Sequence, residues 1–220
     1  MNSAEWKKFS KRFEDAKFQF QRFAETVEGN FRDNPELLTG GHSAVHSTRM
    51  RIKDPIHLKE KIIRKRLSAN DIIPDTLTST ITDLAGVRIL LLYQSDFRLI
   101  DDLIRRRINA GDWVLGERGK AMTWDPENEE FFNQFDLDVE HRATDYTSVH
   151  YLIKPRADVD ICCELQVRTL FEEIWGEVDH RLNYPVQSSN IACREQLRVL
   201  SKIVGAGSRL LESIQRTSKK

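Results

Sequence analysis

The sequence predicts an α+β fold, in which a mixed central β-sheet of about five strands is flanked by helices and by long N- and C-terminal helices. Short runs that alternate apolar and polar residues, or that are apolar throughout, indicate strands. Longer runs with an apolar residue every three or four positions indicate helices, and the two kinds of run interleave along the chain. Because the chain has 220 residues, 40% of them hydrophobic and 31% charged, we expect a single domain over 1–220.

The N-terminal helix, expected over 1–30, carries a stripe of seven apolar residues at spacings of three and four. They are Trp6, Phe9, Phe13, Ala16, Phe20, Phe23 and Val27. Such a stripe occupies one face of a helix, and an apolar face of this size needs a cover. The cover is either the domain's own sheet or C-terminal helix, or a partner molecule.

A core region over 45–185 contains the remaining elements. We expect a basic strand over 45–53, a helix over 54–67, a strand over 86–93, a helix over 97–108, a short strand over 111–115, strands over 147–154 and 162–168, a helix over 169–183 and a C-terminal helix over 190–217. Asp54 and Pro55 favour the start of a helix, and the nearly all-apolar run 86–93 predicts a strand buried on both faces. The short connection between the last two strands predicts a hairpin. Residues 119–145 are polar and rich in acids, so we expect a mobile loop or insertion there.

Composition and charge exclude several functional classes. The net charge is zero and the isoelectric point is near 7, so bulk binding to duplex nucleic acid or to an anionic membrane is not expected. No apolar run reaches the roughly 20 residues of a membrane span, and the charged N-terminus does not resemble a signal peptide. Three cysteines, two of them adjacent at 162–163, form neither a disulfide framework nor a metal-binding spacing. We therefore expect a cytoplasmic protein with reduced thiols and no membrane partner.

The strand over 162–168 places Glu164, Gln166 and Arg168 on one face, because side chains alternate along a strand. An amphipathic helix follows directly and keeps this face near the protein body. A solvated sheet face would tolerate these side chains. An acid, an amide and a guanidinium fixed beside a packed helix are also what an active-site surface requires.

Charged residues cluster around two other strands. Arg51, Lys53 and Lys61 surround a strand-to-helix junction, where they form either a solvated basic face or a polyphosphate site assisted by backbone N–H groups. Asp83 precedes the buried strand and Arg88 lies within it, where unpartnered charges are costly. They form either a structural ion pair or a site in which Asp83 binds a divalent metal and Arg88 contacts a nucleotide base or phosphate.

A fourth cluster begins where the polar segment ends. Tyr146 is placed to stack on a base, and His150 shares a strand face with Ser148. A single histidine is more often structural than functional, so His150 indicates a functional site only in combination with the other clusters.

Together, the four clusters resemble the synthetase domain of the RelA/SpoT alarmone family. The motifs are R-x-K at 51–53, D-L-x-G-x-R at 83–88, Y-x-S-x-H at 146–150 and E-x-Q-x-R-T at 164–169, with Trp175 and Asp179-His180 downstream. Each motif is weak alone, but four in order are specific. The resemblance covers about residues 45–185 and implies a nucleotidyltransferase-like fold with this region as its catalytic core.

The resemblance implies a small, single-domain GTP pyrophosphokinase, which transfers the pyrophosphate of ATP to the ribose 3′-hydroxyl of GDP or GTP. It places Arg51 and Arg88 around the adenine and Lys53 and Lys61 on the ATP phosphates. It makes Asp83 and Glu164 the Mg²⁺ ligands and catalytic carboxylates, with Glu164 also activating the 3′-hydroxyl. It stacks Tyr146 on the acceptor base and assigns the rest of the acceptor site to Arg142, His150, Gln166 and Arg168.

Two departures from the family pattern concern the acceptor. Asp145 stands where a glycine is usual, and Thr147 stands where a cation is usual. An alternative is therefore a toxin-like relative that pyrophosphorylates the tRNA 3′ end or an adenine nucleotide, and another is an inactive nucleotide-binding module. The partners implied are ATP and GDP or GTP, tRNA under the first alternative, and a second copy or an antitoxin on the N-terminal helix.

Overall fold

The computed structural model describes residues 1–67, 72–183 and 188–218. The helices are α1 (Ser3–Gly29), α2 (Pro55–Leu67), α3 (Leu77–Thr80), α4 (Phe97–Asn109), α5 (Pro126–Phe132), α6 (Leu170–Asn183) and α7 (Ile191–Ser218). The strands are β1 (Leu38–Thr39), β2 (His42–Ser43), β3 (Val45–Ile52), β4 (Ala85–Leu91), β5 (Val114–Leu115), β6 (Lys120–Thr123), β7 (Asp138–His141), β8 (Ser148–Lys154) and β9 (Cys163–Thr169).

The central sheet is mixed, which confirms the α+β prediction. Its strand order is β3-β4-β9-β8-β6-β7, with β5 paired to β8. The β4–β9 and β6–β7 pairs are parallel and the other pairs are antiparallel, so the expected β8–β9 hairpin is present. In the described part of the chain this sheet has seven strands rather than about five, and β1 with β2 forms a separate pair. The additional strands lie in the segment that the sequence indicated least well.

The apolar stripe of α1 is buried against the chain's own sheet. Phe9, Phe13 and Phe20 are at most 1% exposed, and α1 packs on β3, β4 and β9. Trp6 and Phe23 pack at the margin of the same core. The first of the two expected covers is therefore correct. This stripe is not a surface on which a second copy or an antitoxin could dock, because the domain's core already occupies it.

Residues 119–145 are structured, so the prediction of a mobile loop was wrong. The segment contains β6, α5 and β7. Phe131, Phe132 and Phe135 pack their rings around Phe97 of α4, and the Phe97 and Phe135 ring centroids are 4.9 Å apart. The elements are short and only one side of each is apolar, and their acidic outer sides dominate the composition.

Helix α6 is fixed over one face of the sheet by α7. Trp175 of α6 packs with Leu197 and Val204 of α7, and its indole N–H donates to the Leu197 carbonyl at 3.0 Å. Trp175 is thus a core residue, and its ring also packs against that of Tyr146, with the two centroids 6.4 Å apart. The cysteines Cys162 and Cys163 are free and buried, as expected, and burial raises the pKa of the Cys162 thiol to about 12. None of the described helices is both long and apolar enough to cross a membrane.

Candidate active site

Strand register brings three of the sequence clusters onto adjacent positions of one sheet. Gly86 of β4 pairs with Glu164 of β9 on one side and with Arg51 of β3 on the other. Two residues along, Arg88 lies beside Gln166. Motifs about 80 positions apart in the chain therefore meet because β4 and β9 are parallel neighbours.

The Arg51 side chain lies against the backbone of β4 at Gly86. A Cβ atom at this position would be in ordinary van der Waals contact with Arg51 Nε, at 3.6 Å, and with the Glu164 carbonyl oxygen, at 3.4 Å. A hollow of about 360 Å³ above it is lined by Arg49, Arg51, Gly86, Val87, Arg88, Glu164 and Gln166.

A wider open cleft of about 870 Å³ adjoins the hollow, since Arg51 lines both. Its lining is Arg51, Ile52, Lys53, Asp54, His57, Lys61, Arg64, Asp83 and His180. Four of these nine residues are lysines or arginines, and a fifth is Asp83, which pairs with the two lysines. A concentration of cations at the start of α2 is suited to a polyphosphate.

Asp83 is the centre of this cationic cleft. Lys53 Nζ and Lys61 Nζ each lie 2.7 Å from Asp83 Oδ2. Burial alone would raise the pKa of the Asp83 carboxyl, but Lys61 and Lys53 outweigh it and lower that pKa to about 2. Burial in turn lowers the pKa of the Lys53 ammonium, although Asp83 opposes the shift. The carboxylate is therefore fully ionised at neutral pH.

The other oxygen of Asp83 marks a place for a divalent cation. Oδ1 is buried and has no hydrogen-bond partner, and a buried polar atom without a partner is costly. The negative charge of Asp83 also opposes ionisation of Glu164, so the two carboxylates share one electrostatic environment. Among the described residues, no three His, Cys, Asp or Glu side chains are grouped to hold a metal. Two carboxylates that leave positions for phosphate and water fit Mg²⁺, which is rarely held by protein ligands alone.

Glu164 is half-buried and held from both sides. His150 Nδ1 lies 3.4 Å from Glu164 Oε1, and Gln166 Nε2 donates to Oε2 at 2.8 Å. Burial would raise the pKa of the Glu164 carboxyl, but the hydrogen bond and charge of His150 and the hydrogen bond from Gln166 together outweigh it, so that the pKa is lowered. Glu164 is therefore a carboxylate at neutral pH.

A directional chain of hydrogen bonds links Glu164 to the residues predicted to contact the acceptor. Arg168 Nη2 donates to the Tyr146 hydroxyl, because a guanidinium cannot accept. That hydroxyl is then free to donate to His150 Nε2 at 3.1 Å, which leaves the proton of His150 on Nδ1, facing Glu164. The Arg168 guanidinium also lies over the Tyr146 ring, with Cζ 4.8 Å from the centroid. The tyrosine and histidine are thus oriented before any ligand binds.

Two acidic residues of α6 complete the site, and the sequence analysis missed them. Glu173 accepts from Arg88 through Oε1 and from Arg168 Nη1 through Oε2, the latter at 3.2 Å. Glu177 Oε1 accepts from Arg88 Nη1 at 3.2 Å. The signal that could have found them is their i, i+4 spacing on the helix that follows the E-x-Q-x-R-T strand.

Arg142 is not brought to this cluster. Its guanidinium donates to Glu140 Oε2 at 2.6 Å, just beyond the end of β7. Strand β7 is separated from β8, which carries His150, by β6. The acceptor role of Arg142 therefore stays a prediction, and the position of its side chain does not support it.

The two departures from the family pattern do not line the cationic cleft. Thr147 is buried, and its hydroxyl lies 3.1 Å from that of Thr123 on β6. Asp145 and Thr147 line a separate cavity of about 330 Å³ with residues of α5, α6 and α7. Downstream, His180 lines the cationic cleft, whereas Asp179 accepts from Asn183.

Comparisons with known proteins agree with this arrangement. The model of the region found in RelA / SpoT proteins matches residues 50–189. The GTP pyrophosphokinase YjbM of Bacillus subtilis (strain 168) is 26% identical over 178 residues, which are 79% of this chain and 72% of that protein.

Two solved structures show the same fold. A GTP pyrophosphokinase family protein from Streptococcus pneumoniae superposes with a TM-score of 0.65 at 20% identity, over 99% of this chain and 95% of the other. The small alarmone synthetase 1 of Bacillus subtilis bound to AMPCPP gives a TM-score of 0.67 at 18% identity, over 96% of this chain and 99% of the other. Since the family model spans well over half of the sequence, the chain belongs to the RelA/SpoT family.

Proposed function

We propose that this protein is a small alarmone synthetase that transfers the β,γ-pyrophosphate of ATP to the ribose 3′-hydroxyl of GDP or GTP and releases AMP. The observation that carries the proposal is the proximity of two ionised carboxylates, Asp83 among lysines just before β4 and Glu164 beside His150 on β9, which are near enough for the charge of Asp83 to act on Glu164. Relatives of the same fold have been solved with AMPCPP and with pppGpp bound.

The donor would occupy the cationic cleft and the adjoining hollow. Lys53 and Lys61 would hold the ATP phosphates, and Arg51 and Arg88 would contact the adenine, since a guanidinium plane can stack on an aromatic base. The hollow between the two arginines supports this placement. Transfer of a phosphoryl group depends mostly on positioning and on neutralisation of charge, and these side chains supply both.

Asp83 Oδ1 and Glu164 would hold Mg²⁺. The bound ion would supply charge neutralisation on the phosphate oxygens. The partnerless state of Oδ1 supports this assignment, because it is the one oxygen of Asp83 that the lysines leave free.

Glu164 would accept the proton of the attacking 3′-hydroxyl. The 3′-oxygen forms a bond to the β-phosphorus of ATP, the bond from that phosphorus to the α,β-bridging oxygen breaks, and AMP leaves with the electron pair. The lowered pKa of Glu164 supports this role, since only the ionised carboxylate can take the proton. Tyr146 would stack on the acceptor base, with His150, Gln166 and Arg168 fixing its surroundings.

The test is transfer from γ-³²P-labelled ATP in the presence of Mg²⁺ to one acceptor at a time: GDP, GTP, an adenine nucleotide or deacylated tRNA. We expect labelled guanosine nucleotide, and no label in any acceptor with the Glu164→Gln protein. Label in tRNA or an adenine nucleotide alone would replace the proposal with the toxin-like activity. Absence of label from every acceptor would favour a nucleotide-binding module.

A further inference from the structure

Acidic residues of α6 lie between the predicted donor half of the site, which contains Arg88, and the predicted acceptor half, which contains Arg168. Glu173, Gly176 and Glu177 recur at helical spacing on the face that looks onto β4 and β9. The side chain of Glu173 is 14% exposed, whereas that of Glu177 is 47% exposed. Glu173 is therefore held within the protein, and Glu177 is at its surface.

Glu173 is the carboxylate that touches both arginines. Its Oε1 accepts from Arg88, which lies in the donor half, and its Oε2 accepts from Arg168, which lies in the acceptor half. Arg168 also contacts Tyr146 through its Nη2 and through its guanidinium plane. One carboxylate therefore joins the predicted adenine contact to the predicted acceptor contact.

The helix backbone is shaped for this bridge. A Cβ atom at Gly176 would lie 2.8 Å from Arg168 Nη1, the same nitrogen that donates to Glu173. Glycine is an unfavourable residue within a helix, costing about 1 kcal/mol relative to alanine. Its presence here allows the Arg168 guanidinium to lie against α6 and reach the carboxylate.

We propose that Glu173 is a positioning residue that couples ATP binding to acceptor binding, and this inference rests on the proposed function. A nucleotide that takes up Arg88 leaves Glu173 to Arg168 alone, which strengthens the ion pair that holds Arg168 beside Tyr146 for the second nucleotide. The same holds in reverse, because coupling between two binding sites is reciprocal. Each substrate should therefore tighten the binding of the other.

Calorimetry with AMPCPP and GDP in the presence of Mg²⁺ measures this coupling without turnover. The affinity of each nucleotide is determined alone and with the other at saturation. For the parent protein we expect each nucleotide to tighten the other at least about fivefold, the lower end of typical allosteric coupling. In Glu173→Gln we expect the factor to fall to about one, because an amide cannot accept from both guanidiniums through two oxygens.

Glu177→Gln is the matched control, because Glu177 forms an ion pair with Arg88, whereas the ion pair of Arg168 is with Glu173. It should weaken AMPCPP a few-fold and keep the coupling. Gly176→Ala is the second test, since its methyl group displaces Arg168 while Glu173 and the helix remain. It should lose the coupling and weaken GDP more than AMPCPP.

Equal coupling in the parent and Glu173→Gln proteins, or none in the parent, would overturn the inference while leaving the proposed function intact. If Glu173→Gln does not fold, coupling that persists in Gly176→Ala would overturn it. A folded parent that binds neither nucleotide would refute the proposed function and this inference with it.

Discussion

Asp83→Asn isolates what the central carboxylate of the cleft contributes. The substitution keeps the size of the side chain but removes the charge on which Lys53 and Lys61 converge. Two ammonium groups are then left with a neutral partner in a cleft where Lys53 is only 9% exposed. The same change removes the oxygen that we assign to Mg²⁺. Stability and transfer should both fall.

The stability loss follows from the pKa of the carboxyl. In the folded protein it is lowered from 3.8 to about 2. A difference of roughly 1.8 units corresponds to about 2 kcal/mol, and little of it is screened because the side chain is mostly buried. A lowered folded-state pKa stabilises the protein above pH 3.8, and that contribution disappears as the pH falls towards 2. The difference in the free energy of unfolding between parent and variant should therefore have its full size near pH 7 and be about half as large near pH 3.

Denaturant unfolding of both proteins at several pH values measures this difference in free energy. In thermal unfolding, the Tm of the variant should be about 4 to 8 °C lower than that of the parent at pH 7. Asp101→Asn is the control, because Asp101 also pairs with an arginine and a tyrosine but lies on α4 outside the cleft. That variant should lose stability and keep transfer. A difference in free energy that does not change between pH 7 and pH 3, or full transfer by Asp83→Asn, would refute the reasoning.

Three further substitutions test other parts of the molecule. Arg88→Lys should weaken ATP-analogue binding about tenfold despite the conserved charge, because lysine has no plane to stack on adenine; unchanged affinity would exclude stacking. Tyr146→Ala should raise the acceptor's apparent binding constant by one to two decades and leave ATP binding nearly unchanged, since base stacking contributes about 1–3 kcal/mol; equal losses for both nucleotides would point to a structural role instead. Phe13→Ala should lower the free energy of unfolding by about 3–5 kcal/mol, whereas Phe18→Ala, at a position 71% exposed, should change it by less than about 0.5 kcal/mol; similar effects would contradict burial of the α1 stripe.

The predictable part of the site consists of residues on strands. Alternation placed Glu164, Gln166 and Arg168 on one face, and the structure joins them in one hydrogen-bond network. The spacing of the apolar residues of α1 gave the buried face but not its cover, because a helical period does not specify what packs against it. That answer required the sheet.

The unpredicted part depends on contacts between distant elements. Glu173 and Glu177 are ordinary acidic residues of an amphipathic helix until α7 fixes α6 over the arginines. Trp175 lies between them in the sequence and was included because it follows the E-x-Q-x-R-T motif in the family pattern; it packs on Leu197 and Val204 of α7 and against the Tyr146 ring. Helical spacing separates Trp175 from the two glutamates, but it does not show that Glu173 meets Arg88 and Arg168 of the sheet.

The most direct test of the proposed activity is to identify the products formed from ATP and GDP in the presence of Mg²⁺. Phosphorus NMR of the reaction mixture distinguishes the possible transfers, and nucleotide chromatography counts the AMP released. We expect one AMP for each guanosine nucleotide that gains a diphosphate on its 3′-oxygen, and neither product with Glu164→Gln. ADP as the donor product, or AMP with free pyrophosphate and unmodified GDP, would contradict pyrophosphate transfer at this site.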